Sequence, residues 1–287
     1  MTFRQPVTDL ITERYSCRTY RDSPIDPAQR KKIEEYLSTL GTGPLGTATR
    51  FELAAATEGD YAALKNLGSY GFIKGATGYI IGAMGSGEKN LEDYGYQMEK
   101  AVLYATDLNL GTCWLGGSFT RSRFARKIEA RDDETVPAVS SLGVMTDNAR
   151  DGRLRRRIGG ARRLPWTDLF FDGSFDKPLS AEEAGKYAEP LEMVRLGPSA
   201  SNKQPWRILR DNGIWHFYLR RTPGYPPVLY KRLLGMADIQ RLDTGIAMCH
   251  FELTAASLGL HGKWEVTPPK KAVTEPLLEY AVSWKQT

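Results

Sequence analysis

Two stretches decide the fold: DYGYQMEKAVLYATDLNLGTCW, residues 93–114, and DTGIAMCHFELTAASLGLHGKW, residues 243–264. They align without a gap. Asp93, Gly95, Met98, Leu103, Ala105, Leu108, Leu110 and Trp114 each meet the same residue type 150 positions later. Both stretches read as an apolar helix that ends near a Leu and enters a short strand at Trp. A repeat this long within one chain points to a fused duplication.

The repeat extends outward. Asp26-Pro27 is a helix start, with Asp as N-cap and Pro at the first helical position. The helix is expected through QRKKIEEYLSTL, with a stop at Gly41. Ser180-Ala-Glu-Glu183 is a capping box and is expected to open one helix over AEEAGKYAEPLEMV. Pro24-Ile25 and Pro178-Leu179 precede these caps; Gly43-Pro44 and Gly197-Pro198 follow the helices. The features share one offset of 154 residues. Strands are expected at Phe51–Ala55 and Arg207–Arg210, then at GYIIGAM (78–84) and WHFYLR (215–220). The last strands are expected at SSLGVM (140–145) and YAVSW (280–284). Helices and strands mix without a regular βαβ rhythm. The expected fold is α+β, two fused halves that each carry a mainly antiparallel sheet packed with helices and together form a pseudo-dimer. The expected division is 1–160 and 161–287, inside an Arg/Gly-rich connector.

With 287 residues, 41% hydrophobic and 25% charged, the composition is that of a soluble globular protein. No apolar run reaches the ~20 residues of a membrane helix. The opening MTFRQPVTDLITERY has no apolar segment of the secretory kind, so a cytoplasmic location is expected. Cys17, Cys113 and Cys249 are odd in number and far apart, which argues against a disulfide framework or a CxxC metal site. His216, His250 and His261 have no acidic cluster beside them in sequence, so no metal is expected. The net charge is +5, and RDGRLRRRIGGARR (150–163) carries much of the excess. That stretch reads as a solvated connector, as a polyanion patch or as a local phosphate site. Nucleic-acid binding ranks last, because no aromatic-studded strands accompany the arginines.

Three segments carry chemistry. Arg14-Tyr-Ser16-Cys-Arg18 repeats cationic and hydroxyl groups at every second residue, which puts them on one side of an extended chain. Two guanidinium forks and a hydroxyl suit a phosphate, although an exposed basic strand would read the same way. Pro198-Ser199-Ala-Ser201-Asn202-Lys-Gln-Pro-Trp206 can offer hydroxyls, an amide and backbone N–H groups to a planar polar ring; the plainer reading is an ordinary turn. Leu110-Gly-Thr-Cys-Trp-Leu-Gly116-Gly117 places two glycines after a short strand, where a flat group could approach the backbone, or simply forms a tight turn.

In this order the three segments resemble the signatures of the nitroreductase family, and Arg162-Arg163-Leu-Pro is similar to the basic segment that closes the family domain. The resemblance implies FMN as cofactor, NADH or NADPH as hydride donor, and a nitroaromatic, quinone or similar small molecule as acceptor. It implies phosphate and ribityl ligands at Arg14, Ser16 and Arg18, with a later phosphate contact at Arg163 and Arg162. Gly116 and Gly117 would face flavin N5. Pro198, Ser199, Ser201 and Asn202 match the loop that reaches the flavin from a partner subunit. Lys74 lies near the place of the family's ring contacts, but its spacing is off. No catalytic side chain is expected, since the chemistry is the flavin's. Alternatives are a family member with other flavin chemistry, or a flavin-binding or sensor protein without efficient turnover.

The motifs partition between the halves. Aligned on the later Pro, DLFFDGSFDKP (168–178) stands where the first half has RYSCRTYRDSP, and the alignment puts Asp168 and Asp172 at the place of the phosphate ligands. PLGTATRF (44–51) lacks the polar residues of the Ser199 loop. Glu-Val-Thr-Pro-Pro follows Trp264 in place of the two glycines. Each half thus keeps what the other has lost, which fits a single-chain pseudo-dimer with one site. The expected state is a monomer with one FMN; the competing arrangement is two chains that exchange halves.

Overall fold

The computed structural model describes residues 3–55, 64, 73–117, 119–147, 162–224, 237–269 and 275–287. The division at 160/161 and residues 150–161 of the basic connector lie outside the described residues.

Each half has a sheet, and four strands of each sheet follow the same order. In the first half β1 (Thr49–Ala55), β2 (Gly78–Met84), β3 (Gly111–Leu115) and β4 (Val139–Gly143) stand in the order β1-β2-β4-β3, all antiparallel. The second half has β5 (Phe170–Asp172), β6 (Ser174–Pro178), β7 (Trp206–Asp211), β8 (Ile214–Arg220), β9 (Gly262–Glu265) and β10 (Leu278–Gln286). Their order is β6-β5-β7-β8-β10-β9. The run β7-β8-β10-β9 repeats the first sheet, and among the described strands only the β5–β7 pair is parallel. The fold is therefore α+β with largely antiparallel sheets.

The helices follow their caps. Helix α1 is Val7–Glu13. Helix α2 is Pro27–Leu37, and Asp26 accepts the N–H groups of Ala28 and Gln29. Ser180 and Glu183 form the expected capping box, but the helix after it is not continuous. It breaks into α5 (Ala181–Ala184), a 3-10 turn and α6 (Ala188–Leu196). Gly185 at φ 56° makes the break. Pro190, which would remove a hydrogen bond from one long helix, then falls in the first turn of a new one, where no donor is needed.

The repeated stretches are α3 (Asn90–Asp107) and a helix, α7, over Ile239–Ser257. Helix α4 is Arg121–Lys127. Helices α3 and α7 cross at Gly95 and Gly245, which are partners under the 150-residue offset. A Cβ on Gly95 would fall on the Leu242 carbonyl oxygen; one on Gly245 would fall on the Glu92 carbonyl oxygen. The repeated glycines are thus the residues that let two backbones touch. The repeated tryptophans are also explained. Trp114 donates to Glu99 and Trp264 to Glu252, each at 2.7 Å, so each terminal strand is tied to its own long helix. Met98, Met248, Ala105 and Ala255 are fully buried, whereas Leu258 departs from its mate Leu108 and is exposed.

The halves share their cores. Val7, Leu10 and Ile11 of α1 pack with Trp206, Phe217 and Phe251 of the second half. Leu242 of α7 packs among the first half's residues. Burying Leu10 and Ile11 is worth roughly 1.5–3 kcal/mol each, so the N-terminal helix is a firm tie between halves. None of the described helices is long and apolar enough to cross a membrane.

Candidate functional site

The segment Arg14–Tyr20 leaves α1 and runs beside the end of β3. Ser16 bridges Thr112 in parallel, and the Cys17 N–H donates to the Thr112 carbonyl at 2.8 Å. Tyr20 fixes the exit by a 2.8 Å hydrogen bond between its hydroxyl and that of Ser141. This extended course turns Arg14, Ser16 and Arg18 to one side, as alternation requires.

A loop of the second half meets them. Ser199 caps its own turn by accepting the Gln204 N–H at 2.8 Å. Ser201, Asn202 and Gln204 all have positive φ, 51°, 55° and 48°. Left-handed backbone at non-glycine residues costs on the order of 1 kcal/mol or more each, so this shape is held by its surroundings. Arg163 donates to the Leu196 carbonyl at 2.8 Å and to Asn202 Oδ1 at 3.3 Å. Asn202 donates to the Arg162 carbonyl at 2.9 Å, and Gln204 Oε1 accepts the Leu164 N–H at 2.8 Å. The Asp243 carboxylate of α7 accepts the Ala200 N–H at 3.0 Å. Asp93 does the same for the matching loop, accepting from Leu45 and Thr47 at 2.8 Å. The repeated aspartates are therefore loop clamps. Burial pushes both carboxyls above the usual range, Asp243 well above it.

Together these elements enclose a cavity of about 340 Å³ between the halves. Arg14, Ser16, Arg18, Gly116, Gly117, Arg163, Pro198, Ser199, Ser201 and Asn202 all line it. Of the residues nominated from sequence, Arg162 alone does not; its contribution is the backbone carbonyl held by Asn202. Lys74 is not in the wall either. Its backbone pairs with Arg18 and Tyr20 instead.

Sequence reading missed one whole wall. Ile239, Leu242, Asp243 and Ile246 face the cavity from α7, with Trp114 and Ala138 from the first half. Spacings of three, four and seven along α7 give one stripe. A stripe of that kind looks the same in sequence whether it faces a core or a cavity. The glycine pair is also refined. The space beside Gly116 is filled by Ile239, which a Cβ would meet at 3.1 Å, whereas Gly117 is open toward the cavity.

One expectation fails. Asp168 and Asp172 do not occupy the phosphate position of the second half. Their segment pairs with β7, the counterpart of β1, whereas Arg14–Arg18 lies beside β3. The two segments sit at opposite edges of equivalent sheets. Asp172 is held by Lys177 at 2.6 Å and Arg210 at 2.9 Å, which keep its carboxyl below the usual range. The alignment on the later Pro carried a loop signal across a change in strand pairing.

Residues 6–255 match a protein family described as "Putative TM nitroreductase". The fold is similar to that of a "putative nitroreductase" from Thermotoga maritima MSB8, with TM-score 0.61 and 18% identity over 99% of this chain and 95% of that one. Weaker similarities reach an "oxidoreductase containing FMN" (TM-score 0.49, 19% identity, 61% of this chain and 96% of that one). Another is a nitroreductase family protein of Clostridium novyi NT (TM-score 0.41, 22% identity, 52% and 87%). No curated protein matches the chain.

Proposed function

The chain belongs to the TM nitroreductase family, and from that premise we propose that it is an FMN-dependent NAD(P)H oxidoreductase that delivers hydride to a nitroaromatic, quinone or similar small acceptor. The observation that carries this reading is the convergence of ten residues, nominated from both halves, on one cavity.

The wall chemistry fits the cofactor. Arg14, Arg18, Arg163 and Ser16 are suited to a phosphate, since guanidinium forks and a hydroxyl donate in the geometry it accepts. Ile239, Leu242, Ile246 and Trp114 give an apolar wall that excludes water from a planar ring. Gly117 and the Ser199 loop add backbone and hydroxyl groups at its edge. When bound, FMN supplies reversible hydride chemistry that no side chain here provides. The protein binds, orients and desolvates.

The same reading assigns one site per chain. At the 150-residue offset, Ile239, Leu242 and Ile246 are replaced by Lys89, Glu92 and Tyr96. Glu92 is locked by Arg241, 2.8 Å from Nε. Gly116 and Gly117 are replaced by Val266 and Thr267. Charged and bulkier residues at these positions disfavour a second flavin. The division at 160/161 then separates the two halves of one monomer.

The visible spectrum of the purified protein tests the class, with released flavin quantified. Flavin bands with FMN in the supernatant are expected. A colourless protein that takes up no added FMN would rule out the reading.

A further inference from the structure

A buried charge cluster stands behind the cavity wall, and the flavin reading does not use it. Glu99 of α3 and His250 of α7 are both fully buried. Glu99 Oε1 lies 3.0 Å from His250 Nε2 and 3.9 Å from Arg14 Nε. Glu99 Oε2 accepts the Trp114 indole N–H at 2.7 Å. On its far side, His250 Nδ1 lies 2.9 Å from the Met193 carbonyl. Arg14 and Trp114 both line the cavity.

Hydrogen-bond arithmetic fixes the protons. A carbonyl oxygen only accepts, so Nδ1 of His250 carries a hydrogen. A proton must then lie between Nε2 and Glu99, because otherwise two lone pairs would face each other at 3.0 Å. Whether it sits on nitrogen or oxygen, Glu99 and His250 together carry no net negative charge. The cluster with Arg14 is then +1.

That proton matters for an anion in the cavity. A bare carboxylate at Glu99, in a site this buried, would draw the Arg14 guanidinium toward itself and repel a phosphate. The arrangement is also one-sided. The offset mates of Glu99 and His250 are Cys249 and Lys100, so the second half has no copy of it.

We propose that His250 masks the charge of Glu99 through a shared proton, and that the pair positions Arg14 and Trp114 for a phosphate-bearing ligand in the cavity. The proposal rests on the FMN reading and adds to it the residues that set the field at the phosphate end. Both are positioning residues, since they act through Arg14 and Trp114.

The test is equilibrium binding of FMN and riboflavin to apoprotein carrying His250→Gln, Glu99→Gln, or both. Riboflavin lacks the phosphate. His250→Gln should weaken FMN about tenfold, the scale of one impaired charge-assisted hydrogen bond, and leave riboflavin within about twofold of wild type. Adding Glu99→Gln should restore most of the FMN affinity, because the unmasked charge is gone. Equal losses for both flavins, or a double variant no better than His250→Gln, would overturn the proposal and leave a purely structural pair. Wild-type apoprotein that binds neither flavin would sink the FMN reading instead. The same loss and recovery would then be required with inorganic phosphate as probe.

Discussion

Gly95 and Gly245 lie against each other's helix at the crossing of α3 and α7, and each leaves room for a backbone carbonyl of the other half. A Cβ at either position has only backbone to push against. Gly95→Ala and Gly245→Ala should each lower stability by about 1–3 kcal/mol or more, as overpacking does. Gly41→Ala is the control, since nothing lies within 4 Å of its Cβ position. Urea midpoints measure the effect. If Gly95→Ala were as mild as Gly41→Ala, the crossing would be wrong.

The cationic end of the cavity gives a second contrast. Arg18 lines it, whereas Arg21 is half-exposed and pairs with Asp147 at 2.7 Å. Arg18→Ala should weaken FMN by about 1.5–3 kcal/mol, the range for a hydrogen bond to a charged group. Arg21→Ala should change it little. Equal effects in a fluorescence titration would remove Arg18 from the phosphate site.

The repeat made the fold legible because the residues that recur in both halves are the contacts with least freedom. Gly95 and Gly245 permit helix contact, Asp93 and Asp243 clamp loops, and Trp114 and Trp264 tie strands to helices. The site was legible where residue type and spacing state a chemistry, as in Arg14-x-Ser16-x-Arg18. It was not legible in Ile239, Leu242 and Ile246, because an apolar helical stripe looks the same against a core or a cavity. Glu99 and His250 are 151 residues apart, and neither has a local partner that would mark it. Asp168 and Asp172 misled because edge-strand pairing is set by tertiary context and leaves no local trace.

Acid stability should depend on Glu134. It accepts Arg50 Nε at 2.9 Å and Nη2 at 2.8 Å, and the Arg131 N–H at 2.9 Å. The hydrogen bonds from Arg50 hold its carboxyl down at about 2. A carboxyl lowered on folding stabilises above its unfolded value, and that stability is lost as pH falls toward about 2. Glu134→Gln should therefore cost roughly 1–2 kcal/mol near neutral pH, allowing for the partial exposure of Arg50. It should also flatten the stability curve below about pH 4.5. Thermal melts across that range check it; an unchanged acid limb would contradict it.

Kinetics test the proposed function at the cavity that Arg14, Ser199 and Ile239 line. Donor and acceptor would occupy the same opening in turn, so double-reciprocal plots should be parallel. Intersecting lines, with a ternary complex detected in binding assays, would show that the two substrates bind together.

The proposed function requires one internal site built by both halves of one chain. Native mass spectrometry of the FMN-reconstituted protein measures this directly. The expected species is a single 32.1 kDa chain carrying one FMN. Two FMN per chain, or flavin found only on dimers while monomers stay empty, would contradict it.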